Sequence, residues 1–248
     1  MRLDQSSWME VRERLIRPQG IIISTGSTEQ HGPIGLIGTD TICSELIANK
    51  VAEKADMYIA PSIGFTPAEF NMNFPGTISI STKTFKNLLN EVLISLFRHG
   101  FKYIYIVNGH GANIDPIKQL MTQYKNRLYF KSWWDFPEVN QIRSEAFGDW
   151  EGMHATPSEI SITQVNHRVI QDNKLKTLAN NPPKKLSKEF IISHSGDKHG
   201  SPEEHYNSFP DGRVGSHSAL ANPEIGIKII NASVSGILEE IRKLNSAL

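Results

Sequence analysis

The sequence predicts an α/β protein with a largely parallel sheet that is covered by helices on both faces. Short apolar runs rich in Ile, Val and Tyr alternate along the chain with segments of helical periodicity. This alternation favours parallel strands joined by crossover helices, and such sheets are buried on both faces. A chain of 248 residues can bury one sizeable core, so we expect a single domain over residues 1–248.

Four segments are predicted to be buried strands because they are brief and rich in β-branched and aromatic residues. They are residues 20–24, 57–61, 102–107 and 127–132.

The clearest helix is predicted over residues 82–99. Apolar side chains recur there at the i, i+3, i+4, i+7 spacing of one helix face, and Gly100 can end the helix. A second helix is predicted to begin near Thr41. A last helix is predicted to start at a cap, Asn222, and to run towards Leu244.

Residues 171–218 are predicted to form an irregular excursion over the surface or over a partner subunit. The segment contains NNPPKKLSK and HSGDKHGSPEEH, which are polar and rich in turn-forming residues. Its three histidines, His194, His199 and His205, are consistent with ordinary loop polarity, with a separate metal site or with a lid over a substrate.

Composition excludes several classes of partner and site. Lys plus Arg equals Asp plus Glu at 26 each, so no basic field attracts nucleic acid or anionic lipid. No apolar run approaches the ~18 residues that span a bilayer, and the first residues lack a signal-peptide core. The single cysteine, Cys43, rules out an internal disulfide and indicates a reducing compartment. We therefore expect a cytoplasmic protein that binds neither nucleic acid nor membranes.

Two glycine-rich loops carry carboxylates and imidazoles directly after predicted strands. STGSTEQHGPIGLIGTDT contains Glu29, His31 and Asp40, and NGHGAN contains His110 followed by Gly111. Sites in open α/β sheets lie at the carboxyl ends of strands, and glycine allows the backbone to approach a ligand closely. Carboxylate and imidazole ligands without thiolates suit Zn, Mn or Fe at a hydrolytic site. A metal centre is therefore the leading interpretation.

Each of these residues also has a purely structural interpretation. Asp40 is a suitable helix cap, and His31 and His110 are suitable partners for loop backbone. A third motif, DWEGMHATPSEIS, adds His154 and Glu159, but the same letters spell a capping box with proline at the first helical position. The residues taken alone leave this choice open.

Five motifs in this order, over most of the chain, resemble the creatininase (creatinine amidohydrolase) family. They are GSTEQHGPIGLIGTDT, FPGTISI, NGHGAN, HATPSEIS and DGRVGSHSAL. The resemblance implies a three-layer α/β/α fold, a homo-oligomer that is usually a hexamer, and a centre of two divalent ions, Zn and/or Mn, with Fe also compatible.

The resemblance also implies which residues hold the ions. Glu29 and His110 would hold one ion, His31 and Glu159 would hold the other, and Asp40 would bridge them. The implied activity is that of a metal-dependent amidohydrolase that cleaves a non-peptide C–N bond in a small amide. A bridging hydroxide would attack the carbonyl, because bound metal lowers the pKa of water to ~7.

Further residues are expected on the substrate side. His154 is the predicted proton donor to the departing nitrogen, since imidazole titrates close to working pH. Trp150, Trp134 and Gly111 are the predicted substrate-binding residues. Trp133 is an alternative to Trp134 for this aromatic contact, and core packing is the other interpretation of both.

Three departures from relatives argue against creatinine itself as the substrate. Ala112 stands where creatininase has a second acidic residue, and Phe70 and Ile34 stand where many relatives have histidine. A small amide, lactam or formamide remains the expectation. The alternatives are a formamide deformylase, a peptide-trimming relative and a catalytically idle, ligand-binding family member.

Overall fold

A four-stranded parallel sheet forms the centre of the computed structural model, which describes residues 1–195 and 199–246. Its strands are β1 (Ile21–Thr25), β2 (Tyr58–Ile59), β3 (Ile104–Asn108) and β4 (Leu128–Ser132). The strand order is β2-β1-β3-β4, and every neighbouring pair is parallel. All four predicted strands are confirmed, each within two residues of its predicted bounds.

Ten α-helices lie in the described part of the chain. They are α1 (Trp8–Arg14), α2 (Thr39–Lys54), α3 (Thr82–His99), α4 (Ile114–Gln123), α5 (Pro137–Phe147), α6 (Pro157–Asn166), α7 (Asn173–Asn180), α8 (Lys188–Ser193), α9 (Pro202–Ser208) and α10 (Pro223–Ser246). The bounds of α3 are those predicted, because the Ser81 side chain caps its start and Gly100, at φ 107°, ends it in the left-handed conformation.

The sheet separates two hydrophobic cores, which confirms the predicted three-layer arrangement. Alternate side chains of β1 and β3 enter opposite layers, as the two-residue period of a strand requires. Ile22 and Tyr105 pack into a core with α2, α5, α6 and α10. Ile21 and Ile104 pack into a second core with α3 and α4. Each layer thus buries one face of the sheet.

The polar segment over residues 171–218 is less irregular than its composition predicts, because it contains α7, α8 and α9. The side chains of Asp172, Ser187 and Ser201 each accept a backbone N–H from the first turn of one of these helices. Such caps stabilise helices too short to persist alone. Residues 196–198 of this segment lie outside the described residues.

Arg213 fastens this segment to the body of the protein. Its side chain is buried, pairs with Asp211 at 2.6 Å and donates hydrogen bonds to backbone carbonyls at the end of α7. A cation is favourable at the C-terminal end of a helix, where carbonyl groups lack partners. Arg213 is therefore a structural anchor of the segment. Among the described helices, none has the length and apolar character needed to cross a bilayer.

Candidate metal centre

The candidate site lies where the strand order changes direction. From β1 the chain passes through α2 in one layer to β2, and from β3 it passes through α4 in the other layer to β4. Two neighbouring strands whose following helices diverge leave a crevice at their carboxyl ends. Glu29 follows β1, and His110 follows β3. The strand order therefore brings together two loops that are distant in sequence.

His31 is held by one ring nitrogen and presents the other to carboxylates. Its Nδ1 lies 3.0 Å from the backbone carbonyl oxygen of Glu29, which can only accept, so Nδ1 carries the proton. Its Nε2 then faces Asp40 Oδ1 at 3.0 Å and Glu159 Oε1 at 3.9 Å.

His110 shows the same arrangement with its nitrogens exchanged. Its Nε2 donates to the backbone carbonyl of Pro67 at 2.7 Å. Its Nδ1 faces Asp40 Oδ2 at 3.0 Å and Glu29 Oε1 at 3.3 Å. Asp40 therefore offers one oxygen to each of two imidazoles.

His154 completes the set. Its Nε2 donates to the backbone carbonyl of Gln30 at 2.7 Å, and its Nδ1 lies 3.6 Å from Glu29 Oε1. Its ring lies 4.5 Å from the ring of His31. The Gln30 side chain is itself held by Asn71 at 2.8 Å. Gln30 and Asn71 were not singled out from the sequence, because neither has a spacing that indicates a site.

We call these six buried residues the carboxylate–imidazole cluster. They are Glu29, His31, Asp40, His110, His154 and Glu159. Their ligand atoms form three groups, in each of which the atoms lie within 4.8 Å of one another: Glu29, Asp40 and His110; His31, Asp40 and Glu159; Glu29, His31 and His154. The first two are the two ligand sets that the family resemblance implies, each with Asp40 as the shared residue.

The donor set fits divalent metal ions. Imidazoles that ligate metals usually donate their other N–H to a carbonyl or carboxylate, which fixes the ring and its tautomer. All three imidazoles of the cluster are held by backbone carbonyls in this way. Neutral nitrogen and carboxylate oxygen are ligands that Zn and Mn both accept.

Electrostatics in the cluster are dominated by burial and by opposite charge. Burial lowers the pKa of His31, but the carboxylates of Asp40, Glu159 and Glu29 outweigh it and raise that pKa to about 10. Burial raises the pKa of Glu159, and despite the opposing effect of His31 it reaches about 7. Burial by itself would raise the pKa of Asp40 as well. His31 and His110 outweigh burial and hold the pKa of Asp40 below its ordinary value. The carboxylates of the cluster thus favour positive charge beside them.

Glu159 fulfils both of the roles that the sequence left open. The capping box at the start of α6 is formed, with the Glu159 carboxylate accepting from the backbone N–H of Thr156. The same carboxylate faces His31 and borders the cavity described below. Asp40, by contrast, does not cap α2: the helix begins at Thr39, with Gly38 as its cap residue. A side chain in the first turn is free to point away from the helix end.

Asn108, the last residue of β3, ties together the ends of three strands. Its side chain accepts from Thr25 of β1 at 3.0 Å and donates to Ser132 of β4 at 3.1 Å. It also donates to the backbone carbonyl of His110 at 2.7 Å and accepts from the backbone N–H of the same residue. Asn108 thereby sets the direction in which the His110 loop leaves the sheet.

Gly109 is required by close packing. A Cβ atom at this position would lie 2.2 Å from the backbone oxygen of Asp40. The loop after β3 therefore reaches the first turn of α2 only because residue 109 has no side chain.

A cavity of about 180 Å³ opens beside the cluster. It is bordered by Glu29, Asp40, Gly109, His110, Gly111, Ile114, Trp133, Trp134, Arg143, Gly152, Met153, His154, Thr156 and Glu159. The predicted substrate-binding residues Trp134 and Gly111 are among them. Trp150 is not: its ring lies 5.5 Å from the ring of His217 and 4.7 Å from the Lys185 ammonium. The substrate contact of Trp150 stays a prediction.

Arg143 is the cavity residue that the sequence analysis missed most clearly. It lies on α5, in a segment without glycine or histidine, and no motif includes it. Only the tertiary packing of α5, chiefly against α10, places it on this cavity. Phe70 and Ile34, which stand where many relatives have histidine, do not border the cavity.

Phe70 instead packs between His154 of the cluster and two histidines of the 171–218 segment. Its ring lies 6.1 Å from the ring of His154, 4.6 Å from that of His199 and 5.0 Å from that of His205. His194 stacks on Phe190 at 3.8 Å. Within the described residues, every group of His, Cys, Asp and Glu close enough to hold a metal is drawn from the carboxylate–imidazole cluster.

Cys43 is a packed core residue beneath the site. It is fully buried, and its thiol contacts the backbone oxygen of Glu159 at 3.4 Å. Burial, with the charges of Glu159 and Asp40, raises the pKa of the thiol well above its ordinary value. The thiol is therefore a poor nucleophile at neutral pH.

The fold and the cluster define a parallel α/β protein with a buried group of carboxylates and imidazoles able to hold metal at the carboxyl edge of its sheet. Residues 4–241 match the family described as creatininase, creatinine amidohydrolase. The chain belongs to the creatininase family.

Individual relatives differ in what they act on. A 3-dehydro-scyllo-inosose hydrolase of Thermotoga maritima is 36% identical over 104 residues, or 41% of this chain and 33% of the relative. A mycofactocin precursor peptide peptidase of Mycolicibacterium smegmatis is 33% identical over 103 residues, or 39% of this chain and 41% of the relative. A creatinine amidohydrolase of Pseudomonas putida is 23% identical over 96% of this chain and 94% of its own. The first two matches span less than half of those relatives.

Solved creatininase structures share the fold. A creatininase in its Mn form superposes with a TM-score of 0.77 at 21% identity, covering 98% of this chain and 97% of that one. A creatininase variant of Zn–Zn type gives the same TM-score at 20% identity with the same coverage. These likenesses confirm the predicted fold class.

Proposed function

We propose that the protein is a metal-dependent amidohydrolase that cleaves a non-peptide C–N bond in a small amide. One observation carries the proposal. Three buried imidazoles are each anchored by a backbone carbonyl, and each directs its second nitrogen towards buried carboxylates at 3.0 to 3.6 Å. That arrangement is typical of metal ligands and is costly to maintain for structure alone.

Two divalent ions are proposed, with Zn or Mn as the metals because related structures are described in Mn and Zn–Zn forms. Glu29 and His110 would hold one ion and His31 and Glu159 the other, with Asp40 between them. Two of the three donor groups support this partition. When bound, the ions would lower the pKa of water to ~7 and polarise the scissile carbonyl.

His154 is proposed to transfer the proton that the departing nitrogen needs. Its ring borders the cavity, and its hydrogen bond to the Gln30 carbonyl fixes Nε2 as a donor. Its Nδ1 lies on the side of Glu29, so this nitrogen is the one that can take up and release a proton.

The size of the cavity supports a compact substrate. Its volume of about 180 Å³ is below the ~300 Å³ at which sites for drug-sized ligands begin. Trp134 offers an aromatic wall and Gly111 a backbone wall without a side chain. The proposed substrate is one small molecule, such as a lactam, a ureide or a formamide.

The test is a hydrolysis screen of lactams, ureides and formamides on protein loaded with Zn or Mn, following release of the amine. We expect turnover of at least one class by the loaded wild type and none by the Asp40→Asn variant. If no compound of the panel is hydrolysed while elemental analysis confirms two ions per chain, the proposal is rejected and a catalytically idle, ligand-binding protein is favoured.

A second candidate, peptide trimming, is favoured by the similarity to the mycofactocin precursor peptide peptidase. Short peptides belong in the same screen, with release of a peptide fragment as the readout. Cleavage of peptides but of no small amide would establish this alternative. The predicted homo-oligomer, a hexamer by resemblance, is tested by sedimentation of the same samples.

A further inference from the structure

The wall of the cavity that is formed by Trp133 and Arg143 offers hydrogen-bond donors. Trp133 directly follows β4, and Arg143 lies one helix further along the chain, on α5. Both border the same cavity as the carboxylate–imidazole cluster, and the guanidinium carbon lies 5.6 Å from the Trp133 ring. We call Trp133 and Arg143 the donor wall.

The guanidinium of Arg143 is held in place by hydrogen bonds, but these do not use all of its N–H groups. Its Nε and Nη2 each lie 3.0 Å from Glu151 Oε1, and its Nη1 donates to Asn140 Oδ1 at 2.9 Å. A guanidinium has five N–H donors. Two of them, one on Nη1 and one on Nη2, have no acceptor within the part of the chain that the structure describes.

Trp133 supplies a third donor. Its side chain is 1% exposed, and among the described residues its indole Nε1 has no hydrogen-bond partner. A buried indole N–H without an acceptor is unfavourable, so such groups are normally paired. A ligand in the cavity that carries an acceptor relieves this cost.

The donor wall is rigidly linked to the cluster. Glu151, which holds Arg143, also accepts from the hydroxyl of Ser158. Ser158 lies in the first turn of α6 beside Glu159, a member of the cluster. The position of Arg143 is thus set relative to the proposed metal ligands, as a specificity site requires.

We propose that the donor wall binds a carboxylate that the substrate carries in addition to its scissile amide. The substrate class is then a compact amide with a carboxylate at its far end. A carboxylate matches the N–H groups of a guanidinium in geometry and charge, and a neutral carbonyl offers neither the second oxygen nor the charge. The inference rests on the proposed function for the reacting end of the substrate, whereas the binding preference is measurable without turnover.

The test compares two ligands of one skeleton, succinamate and succinamide, by calorimetry on the metal-loaded protein. We expect succinamate to bind at least about tenfold more tightly, the usual size of a charge-assisted hydrogen bond. In Arg143→Gln the preference disappears, and in Arg143→Lys part of it remains. In Trp133→Phe, which replaces the indole by a smaller aromatic ring without an N–H, succinamate loses about fivefold in affinity.

Thermal midpoint and metal content are measured on every variant, so that misfolding is recognised. An unchanged preference for succinamate in folded Arg143→Gln would mean that its carboxylate binds the metal ions directly, and would overturn the proposal. Equal binding of both ligands by the wild type would also overturn it. Neither result bears on hydrolysis of neutral amides, which is measured separately; a preference for succinamate in a protein that hydrolyses no member of the amide panel would instead contradict the proposed function.

Discussion

The two sides of the cavity are built in different ways. The carboxylate–imidazole cluster stands on loops after β1 and β3, on the segment that precedes α6 and on the first turns of α2 and α6, and backbone carbonyls orient its rings. The donor wall stands on one residue after β4 and one on α5, and a carboxylate, Glu151, orients its guanidinium. One side gathers carboxylates and imidazoles, and the other offers the remaining N–H groups of an arginine paired with Glu151 and an indole N–H.

The difference separates two tasks. A group of buried carboxylates is stable only with cations among them, so that side is suited to holding metal. The donor wall needs an acceptor from outside, so it is suited to recognising part of a substrate. Substitutions on the first side are expected to change metal content and rate together, and substitutions on the second to change the choice of ligand.

The largest effect is expected from Asp40→Asn. Asp40 contacts His31 and His110 with different oxygens, and removing its charge disrupts both ligand sets. We expect a loss of bound metal and a fall in turnover of at least about 10³-fold, equivalent to about 4 kcal/mol. Elemental analysis and amine release measure the two quantities. Asp149→Asn, which removes an exposed carboxylate paired with Lys185, is the matched control; full metal content in Asp40→Asn would contradict the assignment.

Removal of metal by a chelator is expected to lower the thermal midpoint by roughly 10 °C, because a tight ligand of the folded state stabilises it by a few kcal/mol. The midpoint is measured by calorimetry with and without the chelator. In Asp40→Asn the chelator should have little further effect. A wild type whose midpoint is unaffected by complete removal of metal would show that the cluster is stable without ions.

His154→Ala separates the proton donor from the ligands. We expect kcat to fall by about 10²-fold, the usual contribution of a general acid, with metal content unchanged. The measurements are steady-state kinetics and elemental analysis on the same preparation. His99→Ala, at the exposed end of α3, serves as the control. A proportionate loss of metal would assign His154 to the ligands instead.

Asn108→Ala tests the support behind the cluster. The substitution removes the hydrogen bonds that join three strand ends to the His110 loop. Residues that orient ligands typically contribute 10- to 100-fold to metal affinity, so we expect the metal dissociation constant to rise by about 30-fold. Competition with a chromogenic chelator measures it. Unchanged affinity would show that Gly109 and the strand register alone hold the loop.

The smallest effect is expected from substitutions of Trp134 and Trp150. Trp134 borders the cavity and Trp150 does not, so Trp134→Phe should raise KM by about fivefold and Trp150→Phe by less. Steady-state kinetics on the substrate found by the screen compare the two. The opposite ranking would show that the substrate extends beyond the cavity towards His217 and Lys185.

Much of the fold was predictable because its signals are local. The bounds of α3 follow from its apolar period and from caps at both ends, and the capping box of α6 is readable in four consecutive letters. The motifs that resemble the creatininase family also named all six residues of the cluster. The residues that orient the cluster, Gln30, Asn71 and Asn108, carried no such signal, since their partners lie on other elements.

The sequence by itself determined the alternation of strand and helix, the glycine loops and the residues offered as metal ligands. Tertiary structure alone decided the strand order that joins the loops of β1 and β3, the double role of Glu159, the position of Trp150 outside the cavity and the presence of Arg143 on its wall. The physical reason is the distance along the chain over which each kind of interaction acts. Periodicity and capping act over a few residues, whereas a site forms where strands distant in the chain become neighbours and their packed helices set the remaining walls.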